Sequence, residues 1–182
     1  METPMMRNRL LRYLRSEALP TPFCPGCGCG TVLNLIVHAI DELGLDPKEL
    51  VCISGIGCSS WIPSPHLACD TLHTTHGRAL AFATGVRVYR PDLKILVVAG
   101  DGDLLAIGGN HLVHAARRNL PMAVLLVNNG IYAMTGGQVA PTTPEGVRTT
   151  TTPYGNRERP MRAAAIVAAA GASFVARWTT YH

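Results

Sequence analysis

The 182-residue chain is 47% apolar and 15% charged, which excludes a disordered chain and is enough for one packed domain without disulfide or metal staples. Its net charge of +4 rests on scattered Arg, with Lys only at Lys48 and Lys94; basic residues not clustered with aromatics argue against nucleic acid as a partner and suit an acidic protein surface. No apolar run reaches the roughly 18 residues that span a bilayer, and the Arg-bearing N-terminus lacks the apolar core of a secretory signal, so no membrane partner and a cytoplasmic location are expected, where six cysteines serve as metal ligands or buried thiols rather than disulfides.

Residues 1–22 read as an N-terminal arm with a short helical stretch around Leu10, Leu11 and Leu14. Residues 23–182 read as one domain. Thr31 can cap a helix through Leu43, with Gly44 in the C′ position. Leu50 to Ser54, between Pro47 and Gly55, suits a buried strand. Apolar residues at helical spacing run from Arg78 to Tyr89 and stop before Pro91. Lys94 to Ala99 and Met122 to Val127 are continuously apolar, as in strands covered on both faces, and a helix running to about Asn119 lies between them. Residues 129–160 are rich in Gly, Pro and Thr without periodicity, and so long a loop is functional or disordered. The Ala-rich stretch from Ala163 to Ala176 reads as a buried helix running into a strand at Ser173 to Ala176. Alternating strands and helices imply an α/β fold with a parallel sheet flanked by helices.

Chemistry concentrates at two of these strand ends. Gly100-Asp101-Gly102-Asp103 follows one strand directly, and Asn128-Asn129 follows the next. In a parallel sheet both ends open on the same edge, where ligands bind. Magnesium takes octahedral oxygen ligands, usually one or two protein side chains plus phosphates. Asp101 offers a carboxylate, Asn129 an amide oxygen, and the irregular loop that follows can turn the Ile131 carbonyl inward. Gly100 and Gly102 let the backbone approach phosphates closely. The bland alternative is two ordinary strand-end turns, where Gly, Asp and Asn are common. A dinucleotide fingerprint would need Gly where Leu105 stands, and neither lysine lies in a Walker A loop. The arrangement resembles the shared motif of thiamine diphosphate enzymes, a GDG followed almost thirty residues later by paired asparagines.

Cys24 and Cys27 stand two residues apart in the turn CPGCG, and Cys58 follows in SGIGCSS. Spacing alone leaves zinc, an iron–sulfur cluster and a redox disulfide open. The succession CPGCG, SGIGCSS, HTTHGRALAFATG, GDGDLLAIGGNHLVHAARRN and NNGIYAMTGGQVAPTTPEG closely resembles the beta subunit of 2-oxoacid:ferredoxin oxidoreductases, from Phe23 to Trp178. Within that family the segments TGGQ, APTTP and TTPYGN look most like the 2-oxoglutarate branch.

That resemblance implies a set of roles. Cys24, Cys27 and Cys58 would ligate a [4Fe–4S] cluster. Ile56, Gly57, Cys58 and Ser59 would line thiamine diphosphate, with His73 and His76 beside it. Gly100, Gly102, Asp103, Ala133 and Met134 match diphosphate-site positions, and Asp101, Asn129 and the Ile131 carbonyl would hold magnesium. The implied activity is oxidative decarboxylation of a 2-oxoacid to an acyl-coenzyme A, with electrons passed to ferredoxin. A partner alpha subunit, with further small subunits in some assemblies, would supply the carboxylate that activates the cofactor, for which this chain has no candidate.

The family's fourth cluster cysteine lies in a C-terminal segment beyond the position of His182, so the resemblance implies a C-terminally truncated chain. Trp61 stands where relatives often carry a basic residue, and Gly136 where some carry Lys. A non-oxidative thiamine diphosphate decarboxylase or synthase subunit, a subunit specific for pyruvate or branched 2-oxoacids, and a zinc-binding module are the alternatives. Cys29, Cys52 and Cys69 are expected to be buried apolar residues, and His38, His111 and His114 structural or surface side chains.

Overall fold

The computed structural model describes residues 9–181, so the first eight residues of the expected arm lie outside the described residues. The rest of the arm is docked on the domain. The first of its two tight helical turns, Arg9–Tyr13 and Ser16–Ala18, buries Tyr13, whose hydroxyl donates to Asp41 Oδ1 at 3.1 Å. Arg9 pairs with the same carboxylate at 2.7 Å.

Helix α1 spans Gly28–Glu42 and begins earlier than expected, because Cys27 Sγ accepts from the Cys29 amide and takes the N-cap role. Val32, Leu33, Ile36, Val37 and Ile40 form its buried stripe. Gly44 follows at φ +61°, a left-handed position that favours glycine. Strand β1 (Leu50–Ser54) is buried along its length. Strand β2 (Asp70–His73) was not anticipated, since four residues, two of them exposed, carry no apolar signal. Helix α2 (Ala79–Tyr89), strand β3 (Lys94–Gly100), helix α3 (Gly109–Arg118) and strand β4 (Ala123–Val127) follow as expected. A π-helical turn at Gly102–Ile107 leads from β3 into α3.

All strand pairs in the main sheet are parallel, in the order β2-β1-β3-β4. The direction of strand addition reverses between β1 and β3, which opens a crevice at their carboxyl ends. The two sheet faces sort by the strand period of two. Cys52 and Val98 face α1 and the arm, while Val51, Ile53, Ile95, Val97 and Ala99 face α2 and α3. The result is a three-layer α/β domain, as the strand–helix alternation predicts.

Three expectations fail. Strand β4 is not covered on both faces: it lies at the sheet edge, leaving Val124 41% and Leu125 36% exposed. Helix α4 (Ala163–Ala169) has no fully buried residue, because it packs mainly on α3 and at the rim of one core. No strand forms at 173–176. The chain there is irregular, the Ser173 amide is bonded to the Asn119 side chain rather than to a sheet partner, and Phe174 is exposed. Residues 129–160 form an ordered loop with a small hairpin, β5 (Ile131–Tyr132) and β6 (Gln138–Val139). Among the described residues no helix is long and apolar enough to cross a membrane.

Candidate cofactor site

The carboxyl ends of β1, β2, β3 and β4 place Ser54, His73, Gly100 and Val127 along one sheet edge. Asp101 follows β3 immediately and is buried. Both of its hydrogen bonds fall on Oδ2. The Gly130 amide donates at 3.2 Å, and the Thr142 hydroxyl donates in a short bond. Gly130 adjoins Asn129 in a turn built by the paired asparagines: Asn128 Oδ1 accepts from the Gly130 amide at 3.1 Å and Asn129 Oδ1 from the Ile131 amide at 3.2 Å. The two strand ends thus meet through Gly130, whose φ of +70° keeps the backbone close to the carboxylate. The Thr143 hydroxyl donates to the Gly130 carbonyl at 2.6 Å and fixes the same turn from the far side.

Asp103 behaves differently from a phosphate-loop residue open to a ligand. It is buried, and its Oδ1 accepts from the Ile56 amide at 3.1 Å, from the Gly77 amide at 2.8 Å and, in a short bond, from His76 Nδ1. Two segments far apart in sequence, at Ile56 and at His76–Gly77, are tied to one carboxylate oxygen. The approach depends on Gly55, since a Cβ there would lie 2.0 Å from Asp103 Oδ2. The carboxylate can only accept from Nδ1, so Nε2 is the His76 nitrogen left for other partners. The His76 side chain is 33% exposed and meets the Tyr132 ring edge-on at 6.4 Å.

Gly100 and Gly102 form a tight floor. A Cβ at Gly102 would lie 2.2 Å from the Tyr132 ring, and one at Gly100 would lie 3.1 Å from Ser59 Oγ. The Tyr132 hydroxyl donates to the Gly102 carbonyl at 3.2 Å. Burial, and then the nearby Asp101 and Asp103, push the Tyr132 phenol above its ordinary range, so it remains a donor. Ile56 and Met134 are exposed, and His73, also exposed, packs edge-on against Trp61 at 6.3 Å. Ala133 and Met134 sit in the turn between β5 and β6. Burial, and after it Cys27 and Cys24, push the Cys58 thiol up.

The cysteines of the two motifs share one neighbourhood. Cys24 is exposed, and Cys27 and Cys58 are half-buried. Among the described residues no three His, Cys, Asp or Glu side chains form a group that could hold a metal. Three thiols are one short of the four that a cubane cluster takes, so these residues do not by themselves fit that group. A diphosphate-bridged magnesium asks for less protein. One carboxylate, one amide and one carbonyl suffice, and Asp101, Asn129 and Ile131 are gathered around Gly130. Ser54 Oγ, Ser60 Oγ and Asp103 Oδ2 are buried without hydrogen-bond partners among the described residues. Buried polar atoms are rarely left unpaired, so the Ser54 hydroxyl at the carboxyl end of β1 fits a polar ligand. Sequence reading missed Thr142, Thr143 and Tyr132. They lie in an aperiodic loop, and only the APTTP pattern around the threonines hinted at a role.

The family description "Thiamine pyrophosphate enzyme, C-terminal TPP binding domain" matches residues 55–182. The chain is 55% identical over 172 residues to the 2-oxoglutarate synthase subunit KorB of Methanocaldococcus jannaschii, covering 94% of this chain and 63% of that protein. It is 46% identical over 160 residues to the 2-oxoacid:ferredoxin oxidoreductase subunit beta of Saccharolobus solfataricus, covering 87% of this chain and 52% of that one. Among solved structures it is similar to 2-oxoglutarate:ferredoxin oxidoreductase from Magnetococcus marinus with 2-oxoglutarate, coenzyme A and succinyl-CoA bound. The TM-score is 0.87 at 44% identity, over 93% of this chain and 57% of that chain. The chain therefore spans between half and two thirds of the length of these relatives.

Proposed function

This chain belongs to the thiamine pyrophosphate enzyme family, and from that premise we propose that it is the thiamine diphosphate-binding beta subunit of a 2-oxoacid:ferredoxin oxidoreductase. Its substrate is 2-oxoglutarate, its acyl acceptor coenzyme A, its electron acceptor ferredoxin, and it works with an alpha subunit. The observation that carries the reading is the junction at Gly130, where the amide next to Asn129 donates to the buried Asp101.

Asp101, the Asn129 amide oxygen and the Ile131 carbonyl would hold the magnesium that accompanies the diphosphate. Gly130 and Thr142 occupy Asp101 Oδ2, so Oδ1 is the oxygen offered to the ion. Gly100 and Gly102 let backbone amides approach the phosphates, and Ser54 and Ser60 supply hydroxyls whose hydrogens have no other acceptor among the described residues. When bound, thiamine diphosphate supplies a nucleophilic carbon for the 2-oxo group and a sink for the electrons that decarboxylation leaves behind. Asp103 holds Ile56, His76 and Gly77 in place, and His76 Nε2 is the atom at the rim able to take up or release a proton. Trp61 and Gly136 lie where substrate-carboxylate contacts are expected, so the partner subunit supplies the cation there. A second reading is a thiamine diphosphate subunit without electron transfer.

The test is to purify this chain together with its alpha subunit under anaerobic conditions. Thiamine diphosphate binding that requires magnesium, iron with labile sulfide, and ferredoxin reduction dependent on both 2-oxoglutarate and coenzyme A are expected. Cofactor binding without iron or electron transfer would favour the second reading. No thiamine diphosphate binding in the presence of magnesium would overturn both.

A further inference from the structure

Cys52 and Cys69 lie outside the cofactor site and take no part in the reading above. Cys52 is the middle residue of β1, and Cys69 immediately precedes β2. The parallel register sets Cys52 opposite Thr71, so Cys69 lies diagonally across the strand pair, two residues back. The two thiols are hydrogen-bonded to each other, Sγ to Sγ at 3.6 Å. Both are free and buried, in the core between the sheet and α1. The segment that carries Cys69 is anchored on both sides. Arg15 donates to the Cys69 carbonyl at 2.7 Å, and the Ala68 amide donates to the Tyr13 carbonyl at 2.8 Å.

We infer that Cys52 and Cys69 form a dithiol modification site that a hydroperoxide closes to an intramolecular disulfide. A disulfide needs its sulfurs about 2.05 Å apart, so closure asks the two sulfurs, 3.6 Å apart, to approach by about 1.5 Å, through side-chain rotation together with a backbone shift in the segment before β2. The reactive member is Cys69. Its thiol is pushed down, first by hydrogen bonding to Cys52 and then, against burial, by the charge of Arg15, whereas Cys52 is pushed up by the same hydrogen bond and by burial. The thiolate is the nucleophile. Cys69 attacks the peroxide oxygen, breaking the O–O bond and releasing an alcohol or water as the sulfenic acid forms. Cys52 then attacks that sulfur, the S–O bond breaks, and water leaves with the proton of Cys52. Two thiols lose two electrons and two protons, and the peroxide gains them. The crosslink would close a loop that contains Ile56, Gly57, Cys58 and Ser59.

The test treats the reduced, folded chain with a modest excess of hydroperoxide, blocks remaining thiols and maps disulfides by mass spectrometry. No Lys or Arg lies between Lys48 and Arg78, so trypsin alone leaves both cysteines in one peptide. Chymotryptic cleavage after Trp61 separates Cys69 from Cys52 and Cys58, and fragmentation between Ser54 and Gly57 identifies the bonded partner. The expected result is a Cys52–Cys69 crosslink, lighter by two hydrogens and reversed by a dithiol reductant. It persists in the C24A/C27A double variant, whose other thiol pair is removed. Oxidation confined to Cys24 and Cys27, with Cys52 and Cys69 still thiols in a chain that keeps its circular dichroism spectrum, would overturn the proposal. Overoxidation of Cys69 without a crosslink would do the same.

Discussion

The Thr142 hydroxyl donates to the buried carboxylate of Asp101 across 41 positions of chain. One loop hydroxyl therefore sets the orientation of the carboxylate that carries the proposed magnesium site. A hydrogen bond to a charged group contributes about 1.5–3 kcal/mol. Thr142→Val keeps the shape and removes the donor, so magnesium-dependent thiamine diphosphate binding should weaken by about 10- to 100-fold, while Thr142→Ser should bind within a few-fold of wild type. Isothermal titration of the two variants checks this; equal affinities would show that the hydroxyl does not orient Asp101.

Gly102 and Tyr132 make a second, steric relationship at the same edge. Gly102→Ala would place a methyl 2.2 Å from the Tyr132 ring, and the ring must leave. The hairpin carrying Ile131 is displaced with it, and cofactor binding should be lost. Tyr132→Phe removes only the hydroxyl bond to the Gly102 carbonyl and should cost about 1 kcal/mol of stability with binding retained. Thermal unfolding and cofactor titration on both variants distinguish displacement of the hairpin from loss of one hydrogen bond.

Asp103 is expected to act on stability first. Asp103→Asn takes the charge from a carboxylate that accepts three hydrogen bonds and should cost about 2 kcal/mol, a fall of roughly 4–8 °C in melting temperature for a chain of this size. Gly55→Ala pushes a methyl against the same carboxylate and should cost about 1–3 kcal/mol. Calorimetry on the single and double variants should give a double-variant loss smaller than the sum, because both act on one contact.

Burial first, and then the neighbouring Cys27, push the Cys29 thiol up to about 12. Thiolate is the reactive form, so alkylation at mildly alkaline pH should modify exposed Cys24 well before Cys29, as peptide mapping over time would reveal. The sign for stability follows from the raised value. The contribution is complete below the ordinary thiol pKa of 9.0 and is lost as the pH climbs towards about 12. Early alkylation of Cys29 in the folded chain would contradict its placement in the core.

Much of this arrangement was legible in the residues. The strands at Leu50–Ser54 and Lys94–Gly100 and the helix at Ala79–Tyr89 follow from apolar runs and spacing, which are local properties. The strand at Asp70–His73 was hidden because half-exposed edge strands need few apolar residues. The apolar run at Met122 to Val127 gave the right strand but the wrong surroundings, since an apolar sequence cannot tell which faces its own chain covers. The Ala-rich stretch misled for a related reason: Ser173 bonds to Asn119, a partner 54 positions away that no local pattern announces.

By itself the sequence determined that a parallel sheet ends in an acidic glycine turn and an asparagine pair, because strand periodicity and turn chemistry act over a few residues. Tertiary structure alone decided that Thr142 grips Asp101, that Tyr132 fills the space above Gly102, and that Asp103 ties Ile56, His76 and Gly77 together instead of facing a ligand. Those pairings join positions 26 to 47 residues apart. They exist only after the sheet brings its strand ends to one edge, where hydrogen-bond geometry, not residue type, selects the partners.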